Sequence, residues 1–200
     1  MINTIIFDIG QVLVSFNWQE CFKKHFNKEE FEIASKLTIC DENLWNDIDR
    51  GAIGFDQLFK YLDEKEPVLS DRIKTALIDV HENLLPFSYA NSWVKSMKDK
   101  GFKIYILSNY GTDTFAMSQK NFDFLNYIDG KLMSYEVGLI KPDPKIYEKL
   151  IEKFSLVPQD CVFFDDKIDN VNEAKKHGIN AIHFTNYETA MKEFDLIQNL

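Results

Sequence analysis

Polar residues stand directly after short apolar runs at three places in this chain. Asp8 follows Thr4-Ile5-Ile6-Phe7, Ser108 and Asn109 follow the run Lys103 to Leu107, and Asp165 and Asp166 follow Cys161 to Phe164. A lysine, Lys141, sits in Gly138-Leu139-Ile140-Lys141-Pro142 between the last two. Taken singly, each is an ordinary turn former or helix cap. Together they are the groups of a carboxylate nucleophile and its charge-neutralising partners. A carboxylate attacks an electrophilic centre when a cation offsets the repulsion. Adjacent carboxylates near Asp8 would repel one another unless a cation sat among them, and hard oxygen ligands suit magnesium.

The elements that would carry these residues can be read from the apolar pattern. Thr4 to Phe7 has no polar alternation, as expected of a parallel strand buried on both faces. Strands are also expected at Lys103–Leu107, near Leu132–Tyr135, at Cys161–Phe164 and at Ala181–Phe184. Helices alternate with them, carrying Trp93, Val94 and Met97, then Ile146, Tyr147, Leu150, Ile151 and Phe154, then a stretch ending near Gly178, then a terminal helix. This order predicts an α/β fold, a Rossmann-like parallel sheet with helices on both faces. In such a sheet ligands bind beyond the carboxyl ends of the strands, where the polar residues above fall.

Between residue 15 and residue 86 the pattern is helical throughout. Trp18, Phe22 and Phe26 recur every fourth residue, Leu44, Trp45 and Ile48 share a face, and so do Phe55, Leu58, Phe59 and Leu62. Ser70 is the expected N-cap of a helix with the stripe Ile73, Leu77, Val80 and Leu84, interrupted by Pro86. The predicted organisation is an α/β core of residues 1–14 and 87–200 with an inserted helical-bundle cap at 15–86.

The order FDIGQVLV, ILSN, GLIKPDPKIY and VFFDDKIDN resembles the four motifs of the haloacid dehalogenase-like hydrolases, over essentially the whole chain. Within that superfamily FDIGQV and FFDDKIDN look closest to the bacterial α-D-glucose-1-phosphate phosphatase type. The resemblance implies a phosphatase acting on small phosphorylated metabolites, sugar phosphates such as glucose 1-phosphate among them. Asp8 is then the nucleophile that forms an aspartyl-phosphate, and Lys141 offsets its charge and that of substrate. Ser108 and Asn109 bind phosphate oxygens together with Lys141. Asp8 and Asp166 are ligands for Mg2+, and the resemblance adds the backbone carbonyl of Gly10. Asp165 and Asn170 support the site.

One position departs from the pattern. Most phosphatases of this kind carry an acid–base Asp two residues after the nucleophile, where this chain has Gly10. General acid–base help is worth roughly 10²–10⁴ in rate. An anomeric sugar phosphate, whose leaving oxygen needs little protonation, would lessen that need. The gap keeps two rivals open, a metal-independent 2-haloacid dehalogenase and a ligand-binding homologue without turnover. The dehalogenases tend to carry Ser and Asn where this chain has Asp165 and Asp166, which favours the metal-dependent reaction.

The remaining composition narrows the class. A net charge of −9, with 32 acidic against 23 basic residues, argues against a nucleic-acid surface. The three cysteines (Cys21, Cys40, Cys161) are dispersed and suggest neither a disulfide framework nor a zinc site. The N-terminus lacks the pattern of a signal peptide, and no run approaches the ~20 apolar residues of a membrane span. A cytoplasmic protein without a membrane partner is expected, with a monomer the favoured state. Trp18, Trp45 and Arg50 are the inserted residues that could reach substrate, although aromatics at helical spacing more often serve the core; His81 is expected to be structural, and neither His25 nor His177 shows a partner pattern.

Overall fold

The computed structural model describes residues 1–198; residues 199 and 200, the end of the expected core segment, lie outside the described residues. Strand β1 (Thr4–Phe7) is followed by five helices, α1 (Trp18–His25), α2 (Lys28–Lys36), α3 (Glu42–Asp49), α4 (Phe55–Lys65) and α5 (Ser70–Glu82). The chain continues through α6 (Ala90–Asp99), β2 (Lys103–Ser108), α7 (Thr112–Ser118), β3 (Gly130–Met133) and α8 (Ser134–Val137). It closes with α9 (Pro144–Phe154), β4 (Cys161–Asp165), α10 (Ile168–Lys176), β5 (Asn180–His183) and α11 (Tyr187–Gln198). The five strands form one parallel sheet in the order β3-β2-β1-β4-β5. The expected α/β class is therefore the one the chain adopts.

Alternate side chains of β1 go to opposite faces, which is why the run needs no polar residue. Ile5 and Phe7 pack with Trp93 of α6 and Phe194 of α11, whereas Ile6 packs with Tyr147 of α9 and Val171 of α10. Trp93 anchors the first layer, its ring 4.7 Å from Phe7 and 5.0 Å from Phe164. Register then sets the site. Phe7 lies opposite Ile106 of β2 and Phe164 of β4, so the residues after these three adjacent strands emerge side by side.

The five helices between β1 and α6 enclose a separate apolar cluster that includes Phe22, Leu58, Leu62, Ile73 and Leu77. The chain leaves the sheet and returns to it side by side. Val14 bridges Pro86, Ser15 N–H donates to Leu85 O and Phe87 N–H to Leu13 O.

Three local expectations are corrected. Ser70 is the first residue of α5 rather than its N-cap, because its hydroxyl donates to Asp63 Oδ1 (2.6 Å) on the preceding helix. Strand β3 begins earlier than the apolar run Leu132–Tyr135, since Tyr105 pairs with Gly130 in the ladder. Strand β5 starts at Asn180, opposite Val162, one residue earlier than hydrophobicity indicates. Among the described residues no helix is long and apolar enough to cross a membrane.

Candidate active site

Asp8, the first residue beyond the central strand, is held by backbone bonding on both sides. Its N–H donates to Phe164 O (3.0 Å), and its Oδ1 accepts from Ile9 N–H (2.7 Å). Lys141 reaches the same oxygen at 2.9 Å, Asp165 Oδ2 at 2.6 Å and Leu107 O at 3.0 Å. Its side chain is only 1% exposed, so this ammonium has exchanged water for two carboxylates and a carbonyl. Burial opposes its charge, yet Asp165 and Asp8 hold it above the usual lysine range.

The loop that delivers Lys141 is clamped by Asn109. The Asn109 amide accepts from Lys141 N–H (2.8 Å) and donates to Lys141 O (3.0 Å). The Asn109 side chain is thus committed to the lysine loop. Asp165 is equally committed. It is fully buried and accepts from Lys141 Nζ, Asn170 Nδ2 and Lys167 N–H, while Asn170 O accepts from Tyr147 OH. Asn170 Nδ2 donates to both carboxylate oxygens of Asp165, at 2.9 and 3.1 Å.

Oxygens of Asp8, Asp165 and Asp166 lie within 4.8 Å of one another. Burial first, and then the neighbouring charges of Asp165 and Asp166, push the Asp8 carboxyl up to about 6 against the opposing pull of Lys141. Burial and the charge of Asp165 also raise Asp166. Three carboxylates around one ammonium leave a negative excess in a half-enclosed space. The donor set is made of hard oxygens, and with Asp165 spoken for, Asp8 and Asp166 are the carboxylates left to face a divalent cation.

These residues floor a cavity of about 290 Å³. Asp8, Gly10, Ser108, Asn109, Lys141, Asp166 and Asn170 all line it, so the candidate residues from every motif meet, with Asp165 just beneath. Gln11, at the rim, has φ 56°, a left-handed conformation that favours glycine and stores strain beside the site. The opposite wall comes from the inserted helices. Ile39, Trp45 and Leu84 make it apolar, with Phe16 at the entry strand, and two polar side chains interrupt it, Asp49 and His81.

Those two were not identified from the sequence. His81 is 2% exposed, finds no protein partner for either nitrogen, and lies among the rings of Trp45, Phe16 and Phe55 at 6.0–6.1 Å. Burial lowers it to about 3, so it is neutral. The ring thus packs among the aromatics of the inserted helices, as a structural residue does, and also lines the cavity with both nitrogens unpaired. Burial also raises Asp49, to about 7. A signal for Asp49 did exist, because it follows Trp45 by one helical turn and so shares its face.

The other inserted candidates separate. Trp45 lines the cavity, whereas Trp18 packs on Phe22 and Phe31 and lines a different groove. Arg50 pairs with Asp47 (3.3 Å) and does not line the cavity. His25 meets Asp79 (2.7 Å) and His177 meets Glu173 (3.4 Å), ion-pair partners too distant or too common in sequence to be anticipated. All three cysteines are free.

A parallel sheet with acidic residues and a buried lysine at the carboxyl ends of its central strands sets a carboxylate–lysine centre in an α/β fold. The family model for haloacid dehalogenase-like hydrolases matches residues 2–178, and the chain belongs to that family. The sesquiterpene phosphatase astK of Aspergillus oryzae is 24% identical over 180 residues, 90% of this chain and 88% of that one. The D-ribitol-5-phosphate phosphatase of Bacteroides thetaiotaomicron is 23% identical over the full length of both chains. Among solved structures, a HAD family enzyme of the same bacterium, in complex with magnesium and inorganic phosphate, superposes with a TM-score of 0.74. It is 22% identical and the match covers 91% of this chain and 93% of that one.

Proposed function

We propose that the protein is a magnesium-dependent phosphatase of small phosphorylated metabolites, working through an aspartyl-phosphate on Asp8. The observation that carries this reading is the convergence of Asp8, Lys141 and Asp166 on one cavity floor, with the negative excess that a dianionic substrate could tolerate only beside a divalent cation. Asp8, Asp166 and the backbone carbonyl of Gly10 would hold Mg2+, which supplies positive charge to the phosphoryl oxygens. Lys141 holds the Asp8 carboxylate oriented and offsets its charge. Ser108, with the Asn109 backbone, binds phosphate oxygens. The inserted helices act as a cap that excludes water and contacts the leaving group. The phosphatase names of two full-length relatives support the reading.

For the substrate we favour a sugar or polyol phosphate, glucose 1-phosphate among them. The cavity is small for a drug-sized ligand, and Asp49 and His81 offer hydrogen bonds to hydroxyls. A second reading has its own observation. The wall of Phe16, Ile39, Trp45 and Leu84 suits an isoprenoid phosphate, in keeping with the relative named as a sesquiterpene phosphatase. A 2-haloacid dehalogenase would need no divalent cation and so leaves the carboxylate excess unexplained.

Phosphate release from p-nitrophenyl phosphate, glucose 1-phosphate, ribitol 5-phosphate and a prenyl phosphate, with magnesium and with EDTA, tests the proposal. Magnesium-dependent release that falls below roughly 10⁻³ of wild type in Asp8→Asn supports it. Absence of release from any phosphoester overturns it, and chloride release from 2-haloacids without metal would establish the rival.

A further inference from the structure

The site as built lacks a proton donor beside the nucleophile. Gly10 has no side chain, its backbone is not in the left-handed region, and a Cβ there would meet nothing within 4 Å. Neither conformation nor crowding therefore requires glycine. For an alkyl leaving group the proton has to come from elsewhere in the cavity, and around the nucleophile Lys141 and Asp165 are fixed in mutual ion pairs while Asp8 and Asp166 face the cation position.

Across the cavity stands Asp49, the last residue of α3, whose carboxylate has no hydrogen-bond partner among the described residues. Its backbone is not on a loose element. Asp49 O accepts from Ser134 Oγ (2.6 Å), and the same hydroxyl also receives Tyr110 N–H (2.8 Å), from the loop after β2. One residue earlier, Ile48 abuts Gly111 so closely that a Cβ there would come within 2.7 Å of Ile48 Cγ2. The C-terminal end of α3 is thus seated on the loop that follows β2 and on the start of α8, which fixes the height of Asp49 over the floor. Around its carboxyl stand the apolar wall and neutral His81. The charged groups acting on it are Lys167, Asp8 and Lys141 from the floor and Arg50 from its own helix end, and the phenol of Tyr110 also faces it.

We propose that Asp49 is the general acid–base of this hydrolase, supplied by the inserted helices in place of the side chain missing at Gly10. The inference rests on the aspartyl-phosphate reading. In the first half-reaction Asp8 Oδ bonds to phosphorus, the bond from phosphorus to the leaving oxygen breaks, and that oxygen takes the Asp49 proton. In the second, ionised Asp49 takes a proton from water, the water oxygen bonds to phosphorus, and the phosphorus–Asp8 bond breaks. Asp8 returns as carboxylate, Asp49 as acid, and the products are alcohol and inorganic phosphate. A carboxyl lifted to about 7 is matched to both duties near neutral pH.

The test is rapid-quench kinetics of Asp49→Asn, with Asp49→Ala beside it, on p-nitrophenyl phosphate and on an alkyl phosphate such as ribitol 5-phosphate. p-Nitrophenolate leaves without a proton, so the first half-reaction should persist as a burst of p-nitrophenol whose amplitude also counts folded sites. Steady-state turnover should drop by roughly 10²–10⁴ as the second half-reaction loses its base. The alkyl phosphate should show no burst and a similar loss, and the fall in wild-type kcat above about pH 7 should vanish in the variant. Variants that keep wild-type turnover on the alkyl phosphate, or that lose the p-nitrophenol burst as fully as the alkyl reaction, overturn the assignment. A wild type with no phosphatase activity would instead overturn the proposed function, and this inference with it.

Discussion

The floor and the roof of the cavity obey opposite rules. Around the nucleophile the floor is a paired network: Lys141 is shared by Asp8, Asp165 and Leu107 O, Asn170 holds Asp165, and Asn109 holds the Lys141 loop, with Asp166 left facing the cavity. On the roof both nitrogens of His81 are buried without a partner, and Asp49 has no hydrogen-bonding side-chain partner among the described residues, beside the apolar wall of Ile39, Trp45 and Leu84. A paired network in low dielectric is rigid, which suits a part that must hold a nucleophile and charge in fixed geometry. Unpaired polar groups there cost stability, and that cost is explained if a ligand completes them. The network around Asp8 is thus complete within the protein itself, whereas His81 on the roof keeps both nitrogens unpaired.

The largest effect should come from breaking the floor. Lys141→Met strands two buried carboxylates and should destabilise the fold by about 3–5 kcal/mol by urea titration. The loss should shrink toward pH 5, as Asp8, already lifted to about 6, takes up a proton in place of its ion pair. A variant equally unstable at both pH values would show that the lysine acts through packing alone.

The roof should respond in the other direction. Asp49 ionises at about 7 in the fold against 3.8 ordinarily, so the fold gains from the protonated form at low pH and loses that gain as pH rises from about 4 to about 7. Asp49→Asn should therefore stabilise the protein by about 1–3 kcal/mol at pH 8 and by little at pH 4. His81 has the reverse sign. Its folded value of about 3 lies below the ordinary 6.5, so the unfolded chain binds the proton first and stability is lost as pH falls from 6.5 toward 3. His81→Met should remove that acid sensitivity and raise stability at pH 5 by about 1 kcal/mol, seen as a higher Tm, while increasing KM. Variants that lower stability at every pH would mean the two side chains have partners of another kind.

What could be read from the sequence divides along the same line. Asp8, Ser108 and Asp165 were legible because an apolar run ending in a polar residue marks a buried parallel strand, and its carboxyl end is where such folds bind. Parallel register then brings residues a hundred positions apart together without any further signal. Asp49 was legible only as a neighbour of Trp45 on one helix face, and His81 was not legible as a residue of the site. Each lies on a helix whose apolar face serves both the local cluster and the cavity, and helical spacing does not say which residues at the edge of that face meet ligand. Gly10 was visible as a missing group, but its replacement comes from α3, and the seating of Ile48 against Gly111 that places it is a tertiary fact. Ser70 failed for a related reason, a partner on the preceding helix, Asp63, overriding a local preference.

The smallest effect sharpens the roof itself. Trp45→Ala should raise KM about tenfold, an apolar contact of about 1.4 kcal/mol, while Trp18→Ala, on its separate groove, should alter stability and leave KM unchanged. Equal KM effects would mean that the two tryptophans are not divided by the cavity wall.

The covalent step is the point on which the whole account turns. Wild-type protein quenched in acid during turnover of p-nitrophenyl phosphate, digested and analysed by mass spectrometry, should carry a phosphoryl group on the peptide containing Asp8, and Asp8→Asn should carry none. Continued phosphate release with that peptide unmodified at every quench time would contradict the account, since water would then be attacking the substrate directly and Asp8 would not be the nucleophile.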